Sequence, residues 1–157
     1  MDATLSSSTP GVDASPKKKS FTRFLPTAAR VFMGLVFFVF GLNGFLEFIP
    51  MPKDLDPADP AVAFGIAMKA TGFLFALVKG TETVVGLLLL TNRFVPLALA
   101  LIAPVIVNIF LTHAFLAPSG LGMAVMLLAA ELFLAWSYRA AYRPMLAMKV
   151  SPGSGGR

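Results

Sequence analysis

Four long apolar segments, separated by short stretches rich in Pro, Gly, Asp or Asn, follow one another along this chain. Three of them cover residues 31–49, about 94–116, and 121 to about 142. Each has about 20 residues, the length of an α-helix that crosses the roughly 30 Å hydrocarbon core of a bilayer. Asn92 stands where an N-cap of the third helix is expected. The pattern predicts an all-α integral membrane protein, a four-helix bundle in which each segment supplies one span.

The remaining apolar segment, residues 61–90, is too long for a single span. As one helix, its roughly 30 residues would measure about 45 Å. The Thr71-Gly72 pair is the natural break, which predicts a short helix over residues 61–70 and a spanning helix from about 73 to 91. The short helix carries Lys69, so we expect an additional short interfacial or re-entrant helix. Small residues offer faces for close packing of the first two spans: Gly34, Gly41, Gly44, Ala76 and Gly80.

The composition supports a membrane protein and excludes a soluble domain. Of 157 residues, 57% are hydrophobic and 13% charged, and the mean hydropathy is +0.79. A soluble domain of this size cannot bury so much apolar surface. The net charge of +5 comes largely from Lys and Arg at the two ends of the chain, so we expect the lipid bilayer as partner and no nucleic acid. The domains predicted are a disordered basic tail (residues 1–20), a membrane domain (21–146) and a flexible tail (147–157).

The distribution of Lys and Arg also predicts the topology. The N-terminal tail, the Asn92-Arg93 turn and the C-terminal tail are basic, whereas the loop at residues 50–60 holds three Asp against one Lys. Basic segments are retained in the cytoplasm. We therefore expect a multi-pass protein of the cell inner (plasma) membrane, with both termini cytoplasmic.

The absence of cysteine and the single histidine limit the chemistry of this chain. Without cysteine there is no disulfide, no thiolate metal site and no CxxC redox pair. One histidine is a poor basis for a transition-metal site, and we predict none. A redox role must therefore depend on a bound cofactor or on a partner protein.

Polar residues interrupt each of the four spans. A charge at the bilayer centre costs about 2.5–3.5 kcal/mol on insertion scales, so such side chains should face inward and find partners. Within a span they recur three or four residues apart, on one helix face. Alternating span directions bring these faces together in the outward half of the bundle, where we predict an intramembrane polar pocket as the candidate cofactor-binding site. Its members are Asn43, Glu47, Lys79, Glu82, Asn108, His113 and Glu131.

The pocket so predicted holds more acidic than basic groups. Three glutamates stand against one lysine, because histidine is neutral by default. We expect at least one carboxyl group, Glu131 first, to be protonated at pH 7, or else His113 to be charged and paired with one of them. Groups that hold or release a proton inside a membrane suit quinone chemistry or proton-coupled transport.

Structural roles can explain the same residues. Lys79 and Glu82 can form an ion pair that holds two helices together. His113 and Glu47 lie shallow enough to reach the headgroups. The two asparagines of the pocket can join helices by hydrogen bonds. The sequence leaves the functional and structural interpretations open.

Five short stretches of the chain form a recognisable set of motifs. They are Gly34-Leu-Val-Phe-Phe-Val-Phe-Gly41-Leu-Asn43-Gly44-Phe, Thr71-Gly72, Leu77-Val-Lys79-Gly-Thr-Glu82, Gly86-Leu-Leu-Leu-Leu-Thr-Asn92-Arg93-Phe-Val-Pro96-Leu-Ala, and Ala103-Pro104-Val-Ile-Val-Asn108 with His113. Together they resemble DoxX-like membrane proteins over about residues 26–146. The resemblance implies a four-helix bundle. The family is named for the small membrane subunit of a thiosulfate:quinone oxidoreductase, and other members are linked with membrane redox complexes.

The resemblance and the polar pocket together suggest a function. The leading hypothesis is a quinone-contacting or partner-anchoring subunit of a membrane redox complex, an oxidoreductase subunit without turnover on its own. Its cofactor would be a quinone, and its partner a redox protein or a second copy of the chain. The alternatives are a small proton-coupled solute carrier and a purely structural membrane subunit whose polar groups only specify helix packing.

Overall fold

The computed structural model describes residues 24–50 and 55–148. Every regular element within these residues is helical, as predicted. The expected tail at residues 1–20 and nearly all of the tail at 147–157 lie outside the described residues. The helices are α1 (Leu25–Leu46), α2 (Pro60–Ala70), α3 (Leu74–Leu90), α4 (Val95–Phe115), α5 (Leu121–Ser137) and α6 (Arg139–Tyr142), with a 3-10 turn at Pro118–Gly120 before α5.

The long helices have the length and hydropathy of membrane spans. α1, α4, and α5 together with its preceding turn are each long and apolar enough to cross a bilayer. α2 and α3 meet the same criterion as a pair, bent by 96° at the break between them. α3 alone measures about 26 Å, close to the roughly 30 Å hydrocarbon core. Counting this pair as the fourth span, the described residues form the predicted helical membrane bundle. α2 is the expected additional short helix, and α6 is a second short helix that was not predicted.

The break between α2 and α3 falls at Thr71-Gly72, as predicted. Asp59 caps the start of α2, where its Oδ1 accepts hydrogen bonds from the backbone N–H groups of Ala61 at 2.8 Å and Val62 at 3.2 Å. Gly72 has a φ of +78°, a conformation that costs glycine little. Thr71 Oγ1 then accepts a hydrogen bond from the backbone N–H of Leu74 at 3.0 Å. This short turn makes α2 lie across the end of α3.

The first span begins and ends earlier than the predicted residues 31–49. α1 starts at Leu25, with Pro26 in its first turn, where proline loses no helical hydrogen bond. It stops at Leu46 because the chain turns back on itself there. Glu47 has a left-handed φ of +48°, and Asn43 Oδ1 accepts a hydrogen bond from the backbone N–H of Ile49 at 2.7 Å. Asn43 is therefore fixed by the end of its own helix.

Two predictions about the later helices were wrong in detail. Asn92 does not cap α4: it has a left-handed φ of +56°, and α4 begins after Phe94 without a side-chain cap. Asn92 instead belongs to the end of α3, since its backbone N–H donates to Leu89 O at 3.2 Å. The fourth span ends at Ser137 rather than near Tyr142, and the chain turns at Tyr138 before the separate helix α6.

The close contact between α1 and α3 depends on glycines of both helices. A Cβ added at Gly41 would lie 2.6 Å from the backbone N of Thr83, and one at Gly86 would overlap the backbone of Phe38. Gly34 and Gly44 also face α3, as predicted. Gly80 does not, because a Cβ there would meet nothing within 4 Å. The small face of α3 that contacts α1 thus depends on Gly86, whereas Ala76 and Gly80 line an open groove beside Leu101 of α4.

Arg30 lies inside the bundle, although the sequence pattern placed it with the basic residues before the first span. It is 8% exposed, and its guanidinium donates a hydrogen bond to Leu89 O near the C-terminus of α3. Because α1 starts at Leu25, Arg30 occupies its second turn. A cation suits this position, since the helix C-terminus carries partial negative charge and unpaired carbonyls.

Candidate functional site

A half-open cavity of about 800 Å³ lies between the C-terminal part of α1, the helix α2 and the first half of α3. Most of its wall is apolar. Among the described residues, four polar side chains on or next to these helices interrupt this wall: Asn43, Glu47, Lys69 and Lys79. The larger apolar side chains around them are Phe40, Ile49, Leu55, Ile66 and Phe75.

Lys79 is the polar group that the bundle holds most firmly in this wall. Its Nζ donates a hydrogen bond to Glu82 Oε2 at 2.7 Å, and the side-chain exposure is 22% for Lys79 and 5% for Glu82. The two residues lie three apart on one face of α3, where such a pair forms readily. An ammonium group has three protons to donate. The Glu82 carboxylate uses one of them, so Lys79 can still donate to a group inside the cavity.

Gly44 allows the Lys79 side chain to reach the cavity. A Cβ at Gly44 would lie 2.5 Å from Cγ and 2.7 Å from Cδ of Lys79. The aliphatic stem of the lysine therefore occupies the space that a larger residue on α1 would fill. The glycine and the ion pair to Glu82 together determine where the ammonium group points.

The helix α2 forms the opposite wall of the cavity and adds a second cation. Lys69 Nζ lies 4.9 Å from the ring centroid of Phe75, within the range of a cation–π contact. No residue of α2 is buried. The wall therefore consists of a short helix that rests on the first turns of α3.

The structure divides the seven residues of the predicted pocket among several places. Asn43, Glu47 and Lys79 line the cavity, and Glu82 lies directly behind it through its bond to Lys79. The other three do not line it. Asn108 is exposed on the outer face of α4, two turns from Leu101 on the same side of that helix.

His113 lies at the turn between α4 and α5. Its Nδ1–H donates to Ala117 O, with a distance of 3.1 Å, and its ring packs against Gly120 so closely that a Cβ there would overlap the imidazole. The carbonyl can only accept, so Nδ1 carries a proton. The contacts of this histidine tie the end of α4 to the turn before α5 and lie outside the cavity.

Glu131 is buried in the bundle, apart from the cavity. It is 6% exposed on the face of α5 that also holds Leu127 and Leu134, and its Oε2 has no hydrogen-bond partner among the described residues. Tyr142 of α6 lies near it and donates from its OH to Pro96 O at 2.8 Å. Burial raises the pKa of the Tyr142 phenol, so this hydrogen-bond donor keeps its proton.

Lys69 and Phe75 were missed as members of the site. The signal that points to them is the break at Thr71-Gly72, because a sharp bend there places α2 nearly perpendicular to α3, beside its first turns. The pocket prediction used polar residues inside the long spans, and it therefore omitted the short helix that forms one wall. In the part of the chain that the structure describes, no three His, Asp or Glu side chains are arranged to hold a metal ion.

The helices and the cavity define a small multi-pass helical membrane protein with an amphipathic cavity between its first two spans. The family model of DoxX matches residues 25–114, which is more than half of the chain. The chain therefore belongs to the DoxX family, as its motifs indicated. The match includes α1 to α4 and thus every helix that lines the cavity. No curated protein and no solved structure has significant similarity to the chain.

Proposed function

We propose that this protein is the membrane subunit of a redox complex and binds the head of a lipid-soluble quinone in the cavity between α1, α2 and α3. The observation that carries this proposal is the Lys79 ammonium group, which a buried glutamate holds in the wall of an otherwise largely apolar cavity. The family membership supports a membrane role in general, and the chemistry of the cavity supports the quinone in particular.

The size and lining of the cavity suit such a ligand. Its volume of about 800 Å³ lies within the roughly 300–1,000 Å³ of ordinary small-molecule sites. Aromatic and aliphatic side chains around it match a flat ring with an apolar chain, and a few polar groups can fix the orientation of the ring. The half-open side allows the apolar chain of the ligand to extend out of the cavity.

Lys79 makes the cavity more favourable for a quinone head than for a plain lipid tail. A quinone carbonyl accepts hydrogen bonds, and negative charge develops on that oxygen when the ring is reduced. A positioned ammonium group stabilises such charge most where water is scarce. Asn43 can add an amide N–H donor, because its Oδ1 is already occupied by the backbone N–H of Ile49.

We propose that the electrons come from a partner protein of the complex. The chain has no cysteine, and no metal-binding cluster occurs among residues 24–50 and 55–148. Binding the quinone and presenting it to an electron donor is therefore the role that these residues can fill. We expect the complex, rather than this chain alone, to turn over.

Quinone binding provides the direct test. In the purified chain, a short-chain quinone analogue should compete with a fluorescent quinone analogue, and Lys79→Met combined with Glu82→Leu should weaken binding about tenfold or more. A hydrogen bond to a charged donor contributes about 1.5–3 kcal/mol, and 1.4 kcal/mol corresponds to a factor of ten. The control is Thr81→Val on the same helix, whose hydroxyl donates to Leu77 O and lies outside the cavity.

Two results would reject the proposal. One is a folded wild-type chain that binds no quinone analogue and co-purifies with no redox partner from native membranes. The other is a double variant that binds the analogue as tightly as wild type. The second result would also favour a purely structural membrane subunit, in which Lys79 and Glu82 only neutralise each other's charge within α3.

Glu131 favours a second candidate function, a small proton-coupled solute carrier. A buried carboxyl group with an unpartnered oxygen inside a membrane protein suits a proton-binding step. Proteoliposomes with an imposed pH gradient test this function. Solute flux that disappears in Glu131→Gln would support the carrier, whereas equal flux in both proteins would count against it.

We further propose that both termini lie in the cytoplasm and that the membrane is the inner (plasma) membrane, which follows from the basic tails and the acidic loop at residues 50–60. Because the chain has no cysteine, single cysteines report the topology without background. Ala58→Cys in intact spheroplasts should react with an impermeant maleimide, and Ser154→Cys should react only after permeabilisation. The reverse labelling pattern would contradict this orientation.

A further inference from the structure

The core of the bundle contains a carboxyl group that the quinone site does not use. Glu131 is 6% exposed, and its Oε2 has no hydrogen-bond partner among the described residues. Its neighbours on the same face of α5, Leu127 and Leu134, belong to the hydrophobic core. A carboxylate buried in such surroundings without a cation or hydrogen bonds is strongly disfavoured, and the group becomes neutral instead.

The ionisable groups on the elements packed against α5 do not compensate a charge on Glu131. On α1 the only one is Arg30, and its guanidinium is bonded to Leu89 O. On α4 the only one is His113, which is bonded to Ala117 O at the opposite end of the helix. On α6, Tyr142 donates to Pro96 O and Arg139 to Trp136 O. None of these groups forms a hydrogen bond or an ion pair with Glu131.

Glu82, the other buried glutamate, provides a useful contrast. It is 3% exposed, yet its Oε2 is paired with the Lys79 ammonium group at 2.7 Å. Two carboxyl groups of similar burial thus stand in opposite environments, one with a cation and one without. Glu82 has a cation that stabilises its charged form in the bundle, whereas Glu131 has none and gains nothing from ionisation.

We propose that Glu131 is a proton-binding site in the interior of the bundle, separate from the cavity, and that it carries its proton at neutral pH. This inference does not depend on quinone binding. It gives the protein a neutral acid within the membrane-spanning bundle that can release its proton when a cation or water reaches it.

The composition of the chain allows a direct measurement of this state. It contains three glutamates, Glu47, Glu82 and Glu131, and no glutamine. Selective ¹³C labelling of the glutamate side-chain carboxyl groups therefore gives three signals in NMR spectra of the full chain in nanodiscs. At pH 7 we expect a signal at the position of a protonated acid, which comes from Glu131. The protonated signal should disappear in Glu131→Gln and remain in Glu82→Gln.

Each outcome decides the proposal. Three carboxylate signals at pH 7 in the wild-type protein would overturn it without any variant. A protonated signal that persists in folded Glu131→Gln would also overturn it. If Glu131→Gln does not fold, Glu47→Gln and Glu82→Gln assign the signal by elimination. Loss of the protonated signal in either of them would refute the assignment to Glu131, and its retention in both would support it.

Discussion

Lys79→Met should destabilise the bundle by about 3 kcal/mol, because it leaves the Glu82 carboxylate buried without its cation. Breaking one side of a buried ion pair costs about 3–5 kcal/mol in proteins, and the lower end fits here since Lys79 is partly exposed. Unfolding in mixed micelles with increasing SDS measures this loss. The effect should exceed that of Glu82→Gln, which keeps a polar partner for the ammonium group.

The double variant Lys79→Met with Glu82→Leu separates stability from binding. Replacing both members of a buried pair by apolar groups is often neutral or stabilising, so we expect its unfolding free energy to return to within about 1 kcal/mol of wild type. If Lys79→Met is as stable as wild type, the ion pair contributes little to the unfolding free energy. A double variant as unstable as the single one would mean that Lys79 acts through packing on Gly44 rather than through its charge.

Gly86→Ala should destabilise the protein by about 1–3 kcal/mol, the usual cost of forcing extra volume into a packed contact. A Cβ at this position would overlap the backbone N and Cα of Phe38 on α1, and helix backbones cannot yield as a flexible side chain does. α1 and α3 share the most extensive contact in the bundle, so the strain would separate the two helices that support the cavity. Quinone binding should weaken along with stability.

Gly80→Ala is the matched control for this prediction. It makes the same substitution in the same helix, but its Cβ would meet nothing within 4 Å. Alanine favours a helix by about 1 kcal/mol over glycine, so this variant should be as stable as wild type or more so. Equal destabilisation by the two substitutions would show that the α1–α3 contact does not depend on the absence of a side chain at Gly86.

The architecture can be predicted well from the sequence, because the residues of a segment themselves determine whether it forms a helix and whether it can face lipid. Span length, the break at Thr71-Gly72 and the turn before α5 all follow from apolar runs and from Gly and Pro positions. Helix ends are harder to predict. Arg30 reads as a flanking cation, but its long side chain allows it to lie inside the bundle and bond the end of α3. Asn92 reads as a cap, but a left-handed turn places it at the end of the preceding helix.

The members of the candidate site could be predicted only in part. Spacing along one helix pairs Lys79 with Glu82, and the structure has this pair. Asn43 and Glu47 both line the cavity, but Glu47 lies just past the end of α1 rather than on its helical face. Which faces of different helices meet depends on rotation about each helix axis, which the spacing of polar residues does not determine. Asn108 faces outward for this reason.

The sequence pattern also does not determine the orientation of the short helix α2. The 96° bend, made possible by the positive φ of Gly72, brings Lys69 over Phe75 and closes one side of the cavity. A sequence pattern can locate such a break, but it does not give the direction in which the chain turns. The wall of the site that comes from α2 therefore required the three-dimensional structure.

Photo-crosslinking with an azido-quinone tests most directly whether the cavity is the quinone site. The reagent is applied to the wild-type chain in native membranes, and the adducts are located by mass spectrometry. We predict adducts in residues 40–49 and 61–79, the parts of α1, α2 and α3 that line the cavity, with protection by excess unmodified quinone. Protected adducts confined to α4 and α5, or no protected adduct anywhere in the chain, would contradict this assignment.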